Sequence, residues 1–147
     1  MPATRRSRPN SEAGFTLVEM MVVVVILGLL ATVVLVNVLP AQDRAMREKA
    51  RADIAVLEQA VESYRLDNLT FPRAEHGLEA LVTAPGDMTR PDRYREGGYI
   101  RRLPKDPWGN AYGYAYPGKH GVFDVYSLGA DGREGGEKND ADIGNWS

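Results

Sequence analysis

Between Phe15 and Leu39 the chain runs for 25 residues interrupted only by Thr16, Glu19, Thr32 and Asn37, and from Met20 to Val36 it carries no charge. Wound as a helix at about 1.5 Å per residue, this run extends roughly 37 Å, enough to cross a hydrocarbon core of about 30 Å. A cleaved secretory signal is the competing reading. Its apolar region spans only about 7–15 residues, however, and ends at a small-residue cleavage site; no such site with a polar start beyond it follows here. A membrane helix is therefore expected. Arg5, Arg6 and Arg8 precede it and no comparable basic cluster comes directly after. The positive-inside rule then keeps the N-terminus cytoplasmic and sends the remainder across the bilayer.

Glu19 stands in the first turns of this run. An unpaired acid costs about 2.5–3.5 kcal/mol at mid-bilayer and less near a helix end. It is either a tolerated interfacial acid or one half of a charge pair whose cation comes from this chain or from another copy. An amine at a new N-terminus a few residues upstream would suit.

From Ala41 the pattern turns amphipathic. Met46, Ala50, Ile54, Leu57, Val61 and Tyr64 recur at spacings of three and four, with Arg44, Arg47, Glu48, Lys49, Arg51, Glu58 and Glu62 on the other faces. Such a stripe packs on a core. Pro40 either kinks the helix or begins the amphipathic segment, because it lacks an N–H and clashes with the preceding turn. Leu69-Thr70-Phe71-Pro72 ends the helix, and Gly77 to Val82 reads as a short second one stopped near Pro85-Gly86. Gly98 to Ile100, Ala111 to Tyr116 and Gly121 to Ser127 alternate aromatic and β-branched residues between Pro/Gly turns, which predicts short antiparallel strands. The expected architecture is α+β, one long helix laid across a small sheet. Its segments are a leader (1–14), a transmembrane helix (15–39), the amphipathic half of that helix (40–68) and an α/β region (69–147).

Charge and composition exclude several functions. With 18 basic against 20 acidic residues there is no net basic face for nucleic acid. The absence of cysteine removes disulfides, thiolate metal sites and thiol nucleophiles. His120, Asp124 and Ser127 look superficially like a hydrolase triad, but along an extended strand the outer two stand roughly 23 Å apart. His76 has only Glu75 and Glu79 near it in sequence, which favours a surface role. Gly129 to Gly136 lacks the lysine and Ser/Thr of a phosphate-binding loop. Trp108 and the Tyr112, Tyr114, Tyr116 set read as core or subunit contact. No catalytic residue is assigned, and the chain is expected not to be an enzyme.

Asp131, Asp140 and Asp142 lie in a glycine-rich stretch at the C-terminus. Hard oxygen donors on a tightly folding backbone suit calcium better than zinc or copper, although the spacing is not that of an EF-hand. On the residues alone, solvated Asx turns and an Asp-Gly hairpin account for the same composition.

Two stretches resemble known families. Gly14-Phe15-Thr16-Leu17-Val18-Glu19-Met20-Met21, with the apolar run behind it, is similar to the leader junction of type IV pilins and type II secretion pseudopilins. Leu103-Pro104-Lys105-Asp106-Pro107-Trp108-Gly109-Asn110-Ala111-Tyr112, Tyr126-Ser127-Leu128-Gly129-Ala130-Asp131-Gly132 and the segment Gly135 to Trp146 resemble the major pseudopilin (G subunit) family of type II secretion.

The first resemblance implies a type IV pilin-like fold, cutting after Gly14 by a prepilin peptidase, and N-methylation of Phe15 by the same peptidase/methyltransferase. Glu19 would neutralise the terminal amine of a neighbouring copy. Removing Met1 to Gly14 takes three arginines and Glu12, which leaves 15 basic and 19 acidic residues. The family proline usually lies nearer Val36, so Pro40 is a departure. The second resemblance reverses the reading of the C-terminal loop. It implies one structural Ca2+ held by Asp131, Asp140, Asp142 and the Leu128 carbonyl, with Asn139 and the Ile143 carbonyl as weaker candidates.

The implied function is that of the major structural subunit of a periplasmic filament driving export of folded proteins across the outer membrane. Its partners would be copies of itself, minor pseudopilins, an inner-membrane assembly platform and, before assembly, the bilayer of the bacterial inner membrane. A type IV pilin for adhesion or DNA uptake is the alternative. It shares every membrane feature, but usually carries a C-terminal disulfide loop.

Overall fold

The computed structural model describes residues 14–147, so all of the expected leader except Gly14 lies outside the described residues. The chain divides into two compact units after Pro40, and helix α1 (Leu17–Asn68) contributes to both. Thr16 caps its start, where the hydroxyl accepts the Glu19 N–H at 3.2 Å. That satisfies one of the donors a helix N-terminus leaves open.

In the first unit the apolar side chains are exposed on every face, from Leu17 and Val18 to Val38 and Leu39. A helix apolar all round belongs in a membrane or inside an assembly. Among the described residues it is the one helix long and apolar enough to cross a bilayer. The Thr32 hydroxyl donates to the Gly28 carbonyl at 2.9 Å, so this polar group needs no water. The helix assignment continues without a break through Pro40.

In the second unit the stripe from Ala50 through Ile54, Leu57, Val61 and Tyr64 is buried, joined by Ala60. It packs on Leu78, Ala80 and Leu81 of a 3-10 helix (Gly77–Leu81) and on Tyr112, Phe123, Val125 and Ile143. The helix ends where Leu69 turns to φ +61° and returns its N–H to the Arg65 carbonyl at 2.7 Å. Pro72 then prevents continuation.

Three short antiparallel strands, β1 (Gly113–Ala115), β2 (Asp124–Ser127) and β3 (Ile143–Gly144), form a sheet in the order β1-β2-β3. Tyr114 faces Val125 in the ladder and Ser127 faces Ile143. Tyrosines in and against the core keep their hydroxyls paired: buried Tyr112 donates to Asp53 Oδ2 at 2.8 Å and half-buried Tyr114 to the Pro72 carbonyl at 2.9 Å.

One sequence expectation needs correction. Gly98 to Ile100 is not a strand. The Tyr99 and Ile100 N–H groups both donate to the Leu81 carbonyl, at 2.7 and 3.2 Å, which leaves neither for a ladder. Gly98 sits at φ +80° so close to the Leu81 and Val82 carbonyls that a Cβ would meet them at 2.8–2.9 Å. The third strand is instead Ile143–Gly144, two residues too few to carry an alternating pattern.

Candidate functional site

The N-terminal candidates cluster at the start of α1. Gly14 and Phe15 precede the helix and are exposed, and Glu19 lies in its first turn, four residues beyond Phe15. An acid there also faces the positive end of the helix dipole.

The C-terminal candidates surround the end of β2. Leu128 and Asp142 line one groove of about 330 Å³, together with Glu134, His120, Asp124 and Trp146. Asp142 Oδ2 accepts the Gly135 N–H at 3.0 Å, while its Oδ1 is buried and has no hydrogen-bond partner. A buried, unpaired carboxylate oxygen is costly and suits a cation. Asp131 is exposed and spends Oδ1 on the Arg133 N–H at 3.1 Å. Asp140 ends a 3-10 turn (Lys138–Asp140) whose backbone lies hard against Gly129 and Gly136. The Asn139 carbonyl already accepts the Ala130 N–H at 2.8 Å, and Ile143 is buried in β3. Leu128 and Asp142 thus share the groove, whereas Asp131 and Asp140 belong to the turns around it. Arg47 of α1 donates to the Lys138 carbonyl at 2.7 Å and anchors the loop to the second unit's helix.

Asp106 is a residue that motif reading quoted without assigning a role. It is 4% exposed. Its Oδ1 accepts the N–H groups of Trp108 (3.1 Å) and Asn110 (2.7 Å), and its Oδ2 accepts the Ser127 hydroxyl at 2.7 Å. The would-be triad is therefore split. His120 Nδ1 does lie 3.0 Å from Asp124 Oδ2, but Ser127 belongs to Asp106.

Asp124 also accepts the backbone N–H groups of Lys119, His120 and Gly121 at 2.8–3.2 Å. Burial pushes its carboxyl pKa up, but the His120 ring and the backbone donors outweigh this and hold it below the usual value. The His120 ring stacks on Trp146 with centroids 3.8 Å apart. This contact pins the C-terminal tryptophan to the β1–β2 connection.

Folding brings Asp87 to His76, with Oδ1 2.8 Å from Nε2 and Glu75 3.8 Å away. Sequence spacing could not show this, because Asp87 lies eleven positions on. Glu75, His76 and Asp87 together have metal-ligand composition. The Arg73 guanidinium already stands 3.0 Å from Asp87 and 3.5 Å from Glu75, so both carboxylates share an internal cation as a partner.

Comparison with known proteins gives a consistent result. Residues 37–146 match the family model described as type II secretion system (T2SS), protein G, and residues 9–35 match the prokaryotic N-terminal methylation motif. The chain is 57% identical over 138 residues to the type II secretion system core protein G of Vibrio cholerae, covering 94% of each chain. It is 52% identical over 137 residues to that of Pseudomonas aeruginosa, covering 93% of this chain and 96% of the relative. Among solved structures it resembles the major pseudopilin of the type 2 secretion system of enterohaemorrhagic Escherichia coli. The TM-score is 0.65 at 44% identity, with 75% of this chain and 94% of that chain covered.

Proposed function

The chain belongs to the type II secretion system protein G family, and on that premise we propose how its two units serve a pseudopilus. It is a structural pseudopilin of the secretion system, the subunit that assembles into the pseudopilus. The observation that carries this is the continuous family match over residues 37–146, joined to a methylation motif on residues 9–35.

In our reading a prepilin peptidase cuts the Gly14–Phe15 bond and Phe15 is N-methylated. The first unit then lies in the bacterial inner membrane with its N-terminus cytoplasmic and the second unit periplasmic. Because its apolar side chains are uncovered on all faces, the helix must exchange lipid for the same helices of neighbouring copies when it leaves the bilayer. Glu19 sets the register of that exchange. Paired with a neighbour's terminal amine it is neutralised; one step out of register it is a buried, unpaired charge, which costs several kcal/mol. Copies of the chain, minor pseudopilins and an inner-membrane assembly platform are the partners, and export of folded proteins across the outer membrane is the result.

The C-terminal loop is the second element of the proposal. Asp131, Asp140 and Asp142 with the Leu128 carbonyl hold a structural calcium ion, and the buried, unpartnered Oδ1 of Asp142 supports this fit. Calcium cross-links oxygen ligands from turns that have no core of their own. It does here what a disulfide cannot do in a chain without cysteine.

Mass spectrometry of the protein from cells tests the processing. The expected product begins with N-methyl-Phe15, and an intact Met1 to Gly14 segment in cells with active peptidase contradicts it.

A further inference from the structure

We propose that Asp106 and Ser127 are positioning residues that aim the Leu128 carbonyl at the calcium-binding groove, an inference that rests on the calcium reading above. The Asp106-Pro107-Trp108-Gly109-Asn110 turn is closed by Asp106 itself. Its Oδ1 takes the Trp108 and Asn110 N–H groups, and its backbone N–H donates to the Asn110 carbonyl at 2.8 Å. This fixes the direction of Oδ2, which accepts the Ser127 hydroxyl at 2.7 Å.

A carboxylate only accepts, so the single hydroxyl proton of Ser127 is committed to Asp106 and the serine oxygen presents lone pairs elsewhere. One of these takes the Gly129 N–H at 3.2 Å. Ser127 is fully buried and held in the ladder opposite Ile143, so its oxygen is a fixed point.

The Leu128–Gly129 peptide is planar and trans, with its C=O and N–H on opposite sides. An N–H held against the buried Ser127 oxygen therefore turns the Leu128 carbonyl away from the Asp106–Ser127 pair, outward to the groove that Leu128 and Asp142 line. The next peptide is held as well. Gly129 adopts φ +69°, where a Cβ would meet the Asn139 and Asp140 backbone at 2.7–2.8 Å, and its carbonyl accepts the Asn110 side-chain amide at 3.4 Å. The turn around Asp106 thus acts on the loop from outside the ligand set, as partners beyond the ligands commonly do in metal sites.

The test uses the full mature chain in detergent, titrated with calcium chloride by calorimetry. A parallel sample carries ¹³C-carbonyl leucine and ¹⁵N glycine. Only Leu27–Gly28 and Leu128–Gly129 are Leu-Gly pairs in this sequence, so a carbonyl–amide correlation gives two signals, and the first is an internal control. In the wild type the Leu128 carbonyl signal moves on calcium addition and the Leu27 signal does not. Ser127→Ala is expected to weaken calcium binding by about 10–100-fold with its calcium-free circular dichroism unchanged, and Ser127→Thr, which keeps the hydroxyl, to recover most of the affinity.

An alanine variant binding as tightly as the wild type overturns the inference, as does a folded threonine variant no better than alanine. If the alanine variant does not fold, Asp106→Asn carries the test. It presents an amide donor to Ser127 and reverses the hydroxyl's direction, so wild-type affinity in that variant also overturns the proposal. Failure of the wild-type chain itself to bind calcium instead refutes the calcium reading on which this one stands.

Discussion

Leu57→Ala and Val56→Ala are neighbours on α1, and the contrast between them tests whether the helix is held by packing. Leu57 is fully buried and Val56 is 56% exposed. Leucine to alanine removes three carbons, worth about 0.8 kcal/mol each in transfer. The cavity term raises the total, so a loss of about 3–4 kcal/mol is expected within the range of about 2.7–5.0 kcal/mol measured for such changes. Valine to alanine at position 56 removes two carbons that are less than half buried, a loss of about 0.7 kcal/mol at most. The better helix propensity of alanine offsets it by a comparable amount.

Guanidinium unfolding of the purified chain, followed by the fluorescence of Trp108 and Trp146, gives both values. A large loss for Leu57→Ala beside a change within about 0.5 kcal/mol for Val56→Ala is the expected result. Equal small losses at the two positions would refute the claim that the amphipathic half of α1 is held by packing on the core.

Further outcomes follow from the titrating groups and the metal. The folded pKa of Asp124 lies below its unfolded value, so its contribution is present above about pH 3.9 and lost as the pH falls through and below that value. Acid unfolding should consequently be less steep in Asp124→Asn than in the wild type, and identical acid profiles would contradict this. Burial first, and then Asp53 for Tyr112, raises the Tyr112 and Tyr114 hydroxyls far above the tyrosine range. Their contribution is complete below about pH 10 and lost above it, and a pH scan of stability that stays flat to strong alkali would count against their buried pairing. Chelation with EGTA should lower the melting temperature of the second unit and added calcium restore it, whereas equal melting temperatures would remove the calcium claim.

The long apolar helix and the buried stripe were legible because each is a periodic or continuous pattern within one segment: Met20 to Val36 needs no partner to be recognised, and Ala50 to Tyr64 shows its face by spacing alone. Gly98 to Ile100 looked like a strand because Tyr99 and Ile100 have strand propensity. Their N–H groups, however, found the Leu81 carbonyl eighteen and nineteen positions earlier in the chain. The same limit hid Asp106 and Ser127, 21 residues apart, and Tyr112 and Asp53, 59 apart. Such pairs are made by tertiary folding and leave no local spacing. At the C-terminus the acidic composition was visible, but the division between groove-lining Leu128 and Asp142 and the more peripheral Asp131 and Asp140 depends on how the turns around Gly129 and Gly136 close.

The central claim is that the chain works as a structural subunit of the secretion pseudopilus, and the most direct measurement is secretion itself. Cells in which the gene is deleted should retain folded exoproteins in the periplasm, and the wild-type chain supplied in trans should restore their release. Undiminished release of those exoproteins from the deletion strain would contradict the account.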